Sequence, residues 1–316
     1  MNWLVLTIIS YLMLAIVNLG DKFVVDKVLK SSKSYAFMVG LLGALIFLIA
    51  PWFLNWPGLS LFFVNIISGI FFVLALWVMY EALKHGETSR VVVVIGSIVP
   101  IFTVIFSFLF FNEKFTRNQL AGFLFLIVGM IIISFVISRR KKWKDFWQGL
   151  WSVFTGDYNK KWIFLAILSA LFYALYFIIA KYAYLQQDFL SSLIWIKVGG
   201  LLISLFFLLD KKTRQEIKKN FKSKPKKSTK IGSGLILVNQ ATGSIASLIQ
   251  SYAIYLGPVA IINALQGIQY AFLLILGIFF TIFFPKILKE DISKKILIKK
   301  IIAIIFIGIG LYFMAI

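Results

Sequence analysis

The chain has 316 residues, 61% of them hydrophobic, and a mean hydropathy of +0.94; no soluble domain of this size needs so much apolar surface, and long apolar runs exclude the alternating ten-residue segments of a barrel. The absence of cysteine and the single histidine, His85, argue against a disulfide framework, a thiolate metal site or a histidine-based one. A net charge of +21 would suggest nucleic acid in a soluble protein, but here Lys and Arg fall between the apolar runs, where they report topology.

The first run, 3–20, lacks a basic leader and a small-residue cleavage site, so it reads as a retained span. It offers Asn18 near its end, followed by Asp21 and Lys22. After a second run, 35–55, the third, 60–83, closes on Trp77, Tyr80 and Glu81, and Glu81 can pair with His85 at i, i+4. The fourth, "VVVVIGSIVPIFTVIFSFLFF" over 91–111, is uncharged and just long enough to cross the hydrocarbon core. Gly96, Ser97 and Pro100 lie inside it. Proline removes a backbone donor and clashes with the preceding turn, so a helix break is predicted at Gly96 and Pro100. Such breaks are tolerated at membrane depth where protein or a water-filled cavity covers the backbone. That makes Ser97 a cavity-lining candidate; close packing through small residues is the other reading.

A fifth run, 119–138, leads into "WKDFWQGLWSVFTGDY", residues 143–158. Trp143, Phe146, Trp147, Leu150, Trp151 and Phe154 recur with helical spacing behind a basic cluster, the pattern of a helix lying in the membrane interface. The sixth run, 162–180, carries Ser169, Tyr173 and Tyr176 on one face, and the two tyrosines lie deep enough to be cavity candidates. The seventh, 190–209, holds Lys197, the one charge well inside a predicted span, about eight residues or roughly 12 Å from its start. An ionisable residue at that depth is expensive, which suggests solute binding or gating; bonding to carbonyls of neighbouring helices is the alternative.

A polybasic loop precedes the eighth run, 233–255, in which Gln240, Ser244, Ser247 and Ser251 share a face, with Asn239, Gly243 and Gln250 beside it. The ninth, 259–283, adds Asn263, Gln266, Gln269 and Tyr270, and Gly267 as a second helix-break candidate. Amides this deep need partners, either across helices or in an aqueous cavity that takes a solute. A tenth run, 301–316, ends the sequence.

Five alternate connections, 21–34, 84–90, 139–161, 210–232 and 284–300, hold 4, 2, 7, 10 and 6 basic residues, 29 of the 33. The other connections hold Lys114, Arg117 and Lys181. The positive-inside rule puts the 29 in the cytoplasm and both termini outside.

The two halves echo each other. "ALKHGETSRVVVVIGSIVPIF" from Ala82 and "AIYLGPVAIINALQGIQYAF" from Ala253 align at a constant offset of 171, matching Gly86 with Gly257 and Gly96 with Gly267. Five spans per copy is odd, so the second copy must insert upside down, the architecture of many secondary transporters. The expected fold is therefore an all-α polytopic membrane protein of ten transmembrane helices in two inverted five-helix repeats. The expected parts are residues 1–140, an interfacial linker at 141–161, and residues 162–316.

The segment from Ala82, with its mid-span proline, its "NEKFT" turn and the following "QLAGFLFLIVG", resembles the EamA-type repeat of the drug/metabolite transporter superfamily. The resemblance covers nearly the whole chain as two copies. It implies a solute carrier working by alternating access around a cavity lined by spans 1, 3, 4, 6, 8 and 9. It also implies cytoplasmic termini, against the charge bias here. The candidates for that cavity are Lys197, Asn18, Ser97, Tyr173, Tyr176, Gln240, Ser244, Asn263, Gln266 and Tyr270. With no deep carboxylate among them, the favoured solute is anionic, zwitterionic or neutral and polar, such as an amino acid. Alternatives are a flippase for a lipid-linked substrate and a non-transport assembly protein. No nucleophile–base pair or metal cluster marks an enzyme, and no cofactor or metal is expected. The expected partners are a small polar solute, membrane lipids and a coupling ion or proton, and the expected location is a prokaryotic cell membrane.

Overall fold

The structure, a computed structural model, describes residues 2–28, 32–85, 88–137, 161–211, 213–215, 217, 227–283 and 294–315. The expected interfacial linker at 141–161 falls almost wholly outside the described residues, which resume at Lys161. The regular elements described are all helical: α1 Trp3–Val28, α2 Ser32–Gly43 with a 3-10 turn Ala44–Ile49, α3 Ala50–Phe53, α4 Leu59–His85, α5 Thr88–Phe111 and α6 Arg117–Ile137. They continue as α7 Lys161–Gln186, α8 Phe189–Phe206, α9 Lys227–Leu256, α10 Val259–Ala264, α11 Gln266–Phe283 and α12 Lys294–Ala315. A helix satisfies its own backbone within one segment, which hydrocarbon demands.

Among the described residues six helical stretches are long and apolar enough to cross a bilayer: Ser32–Phe53, Leu59–His85, Val94–Phe111, Lys161–Gln186, Phe189–Leu209 and Val259–Phe283. Shorter apolar helices cover Trp3–Leu19 and Ile301–Gly310. The chain is thus an all-α, multi-pass integral membrane protein with about six spanning helices by this measure. The other two expected spans coincide with α6 and α9.

Apolar residues left on the outside recur at helical spacing. Val5, Ile9, Leu12 and Ile16 are exposed on α1, and Ile101, Ile105 and Phe108 on α5. Such stripes suit a lipid-facing surface.

Small residues bring the inner faces together. Glycines 69, 199 and 200 let α4 and α8 cross almost backbone to backbone: a Cβ on Gly69 would overlap the Ile196 carbonyl, and one on Gly199 the Ile66 carbonyl. Hydroxyls join α4 to the antiparallel α7, Ser68 donating to the Tyr176 carbonyl at 3.2 Å and Ser169 to the Ala75 carbonyl at 2.9 Å. Without a hydrophobic force between helices in lipid, close contact and such bonds hold the pairs. A corresponding antiparallel pair, α1 with α9, is tied by Gln250 Nε2 donating to the Tyr11 hydroxyl at 3.3 Å and Asn239 Nδ2 to the Val17 carbonyl at 3.2 Å. The helices α6 and α12 pack on each other through Gly129 and Gly310.

Two turns are fixed by backbone conformation. Gly58, at φ +82°, precedes α4, and Asn112, at φ +51°, ends α5. Gly and Asn are the residues that take this region readily.

The polar ends sort by charge. Lys33 Nζ lies 3.1 Å from Asp210 Oδ2, and Glu81 accepts from Ser32 and lies 3.3 Å from Lys84 Nζ and 3.5 Å from His85 Nε2. The Glu81–His85 pairing expected from spacing is therefore formed, within a wider network. Described residues from three basic-rich connections, Lys33 with Asp210 and Lys84 with Ser32, thus lie at this end. The other end joins Asn55 to α8: Ser191 Oγ donates to its carbonyl at 3.1 Å and Trp195 Nε1 at 3.0 Å.

α5 is one helix from Thr88 to Phe111, uninterrupted at Gly96 and Pro100, where a break was expected. Its interior proline frees one backbone acceptor without ending the helix, because the neighbouring turns keep their own bonds and packed helices support them. In the second half the helix does stop, at Leu265 between α10 and α11, two residues before Gly267.

Candidate functional site

The charge that sequence places deepest, Lys197, lies on α8 opposite α2 and α4. Gly43 leaves room for its stem: a Cβ there would sit 3.4 Å from Lys197 Cδ. The ammonium stands 4.7 Å from the centre of the Phe72 ring. The aromatic face attracts it electrostatically, and more strongly where water is displaced. Among the described residues no hydrogen-bond acceptor or carboxylate pairs with it.

Phe72 links this lysine to the two tyrosines of α7. Its ring centroid is 5.0 Å from Tyr176 and 6.5 Å from Tyr173. Tyr176 is buried, and Ser251 of α9 lies beside its hydroxyl. Tyr173 packs against three hydrophobic clusters, one drawn from α2, α4 and Phe207, one from α4, α5 and α7, and one from α1 and α7 to α10. It stands where these helices converge. Lys197, Tyr173 and Tyr176 are therefore brought together around Phe72, a residue that hydropathy could not single out from its apolar neighbours.

A second group forms around Tyr270. It is buried, its hydroxyl donates to the Val92 carbonyl at 3.0 Å, and its ring lies against Gly96, where a Cβ would overlap it. Gly96 thus makes room for an aromatic ring. Tyr11, absent from the candidates, shares this cluster: it is 1% exposed, donates to the Ile262 carbonyl at 2.8 Å and accepts from Gln250. A lone tyrosine in an apolar run gives no pattern from which its depth could be read.

The remaining candidates are dispersed. Ser97 is 8% exposed and bonded, and Asn263 is buried with its Nδ2 lacking any partner among the described residues. Asn18 and Gln266 are half-buried, and Ser244 is exposed on α9. The side chain of Gln240 lies outside the described residues.

Lys181 was expected at the membrane edge, and it is 7% exposed. Its ammonium donates to the carbonyls of Ile254 at 2.8 Å, Tyr255 at 3.1 Å and Gly257 at 2.9 Å. These are the acceptors left over at the C-terminus of α9, where a cation also meets the negative end of the helix dipole. Lys181→Met is expected to destabilise the protein by roughly 1–3 kcal/mol, the penalty of leaving buried acceptors unpaired. Amide exchange of residues 257–261 should accelerate in this variant; unchanged exchange and an unchanged melting temperature would contradict the capping role.

Among the described residues no three His, Cys, Asp or Glu side chains stand close enough to hold a metal.

Residues 1–135 match the EamA-like transporter family. An uncharacterized protein of Methanocaldococcus jannaschii is 39% identical over 69 residues, which are 22% of this chain and 50% of that protein. The chain thus spans about half the length of this curated relative. A solved crystal structure superposes with a TM-score of 0.63 over 96% of this chain and 93% of its own, at 13% identity, a likeness of fold.

Proposed function

We propose that this chain, whose residues 1–135 match the EamA-like transporter family, is a carrier of the EamA type that moves a small polar solute across the membrane by alternating access. The observation that carries this reading is the convergence of Lys197, Tyr173 and Tyr176 around Phe72, where helices from both halves meet.

The finer architecture is part of the proposal: ten spans in two inverted five-helix repeats, residues 1–140 and 162–316. Reciprocal packing supports it. If each helix of the first half is matched to its counterpart five spans later, α4 with α7 becomes α9 with α1, and α5 with α7 becomes α11 with α1. All four pairs are in contact. Transporters of this design rock one repeat against the other around a midplane site.

The solute is anionic, zwitterionic or neutral, with an amino acid or a metabolite carboxylate favoured. Lys197 supplies a positive charge, the tyrosines supply hydroxyls, and Ser97, Asn263, Gln266 and Tyr270, with Asn18, Gln240 and Ser244, are proposed as further contacts along the path. A ligand that binds the folded state raises its stability by about 2.7 kcal/mol at a hundred times its Kd. A thermal-shift screen of amino acids, carboxylates and lipophilic cations should therefore give its upward shifts among the first two classes. Shifts confined to the cations would overturn the charge assignment.

Orientation follows from the basic connections, with both termini outside. The chain has no cysteine, so single cysteines can be introduced without background. With an impermeant thiol reagent on intact cells, Asn118→Cys should label and Ser223→Cys should not. Labelling of position 223 from outside would reverse the orientation.

A further inference from the structure

The connection between α5 and α6 holds a carboxylate that the solute site does not use. After Asn112 turns the chain at φ +51°, the Glu113 N–H points back to the Ser107 carbonyl at 3.4 Å. The Glu113 carboxyl is folded against protein. Among the described residues its Oε2 is closed to solvent and makes no hydrogen bond of good geometry, though the Ser107 hydroxyl, closed off as well, lies within reach of the carboxyl.

The charged group that faces this carboxyl from a neighbouring helix is Lys181 of α7. All three of its protons are directed to the carbonyls at the end of α9, so none remains for Glu113. Lys181 attracts the carboxylate through space only. The other charges on Glu113's own connection and the start of α6, Lys114 and Arg117, are exposed. α5 contributes Ser107, which serves either form, donating to the carboxylate or accepting from the acid.

We infer that Glu113 is a proton-binding site that seals this end of the protein: with the proton bound, α5, α7 and the end of α9 close together, and its loss opens them. The ligand is a proton from water on this side. It forms an O–H bond at a carboxyl oxygen on closing and returns to water on opening. Burial pushes the Glu113 carboxyl up from the ordinary carboxylate range, Ser107 and Lys181 opposing it. An acid whose protonation is easier in the closed form than in water favours closure below its closed-state pKa. That contribution is lost as pH rises through it. Lys181, bridging α7 to α9, is the part of the structure that must separate.

The inference rests on the transport reading for its purpose, but it can be tested without transport. The probe is a small methanethiosulfonate reagent on the full chain in detergent. Ser251→Cys, a buried position one turn before the Lys181 acceptors, reports opening. Asn118→Cys, exposed, corrects for the intrinsic pH dependence of the thiol. The corrected rate at position 251 should rise at least about fivefold from pH 5.5 to pH 7.5, within the ~100-fold that two pH units allow one proton site. In the Glu113→Gln background, which mimics the protonated acid, the rate should stay low and flat. Glu113→Asp, which keeps a carboxyl, should retain a step. The same rise in Glu113→Gln, no rise in the parent, or loss of the step in Glu113→Asp would each overturn the inference. A protein that transports nothing but shows this step would sink the carrier reading and leave the proton site standing.

Discussion

Replacing Gly69 or Gly199 with alanine is expected to destabilise the protein by about 3 kcal/mol, the upper end of the usual penalty for overfilling a packed interior. The reason is what the added carbon meets. At both positions it would overlap a backbone carbonyl of the facing helix, Ile196 for Gly69 and Ile66 for Gly199. A flexible side chain can rotate away from such an intrusion, but a carbonyl inside a helix moves only with the helix. The crossing of α4 and α8 would have to open, and Phe72 and Lys197, one on each helix, would separate with it. Gly308, by contrast, has nothing within 4 Å of an added carbon. Gly308→Ala should be neutral or stabilising by up to about 1 kcal/mol, through helix propensity. Thermal unfolding of the purified variants in detergent separates the cases. Equal melting temperatures for Gly69→Ala and Gly308→Ala would show that the close crossing contributes nothing.

Lys197→Met is expected to abolish transport while leaving the fold intact. Methionine keeps the length and the apolar stem against Gly43 and Phe72, and no hydrogen bond or ion pair to a described residue is lost, so the melting temperature should hold. What disappears is the charge. At an effective dielectric of about 20, two opposite unit charges 4 Å apart attract by roughly 4 kcal/mol, close to a thousandfold in binding. An anionic or zwitterionic solute recognised by this lysine should lose most of that affinity. Lys197→Arg, which keeps the charge but not the point geometry, should retain part of it. Normal transport by Lys197→Met would remove the lysine from the solute site.

Much of the architecture is legible in the chain because membrane insertion is read from local quantities. Hydropathy marks where a helix can cross, and the clustering of lysine and arginine into alternate connections marks which ends lie together; Lys33, Lys84 and Asp210 duly meet at one end. What resists reading is packing. Pro100 looks like a break, but the proline rule describes one lost bond, and a supported helix survives it. Lys181, five residues before the end of α7, looks like an edge residue; it is deep because the end of α9, some seventy positions away, folds over it. Tyr11 and Phe72 carry no distinguishing pattern, since their importance lies in partners on α10 and α8. The tyrosines and lysine around Phe72 could be nominated from depth and chemistry. Their juxtaposition depends on two helix pairs that no spacing within one run encodes.

The most direct test of the account is counterflow in liposomes reconstituted with the purified full chain, preloaded with a mixture of unlabelled amino acids and carboxylates. The account predicts accumulation of a labelled amino acid or carboxylate above the level of protein-free vesicles, lost in Lys197→Met. It also predicts no accumulation of a labelled lipophilic cation such as tetraphenylphosphonium in vesicles preloaded with that cation. Counterflow of the cation, with none for any amino acid or carboxylate, would contradict it.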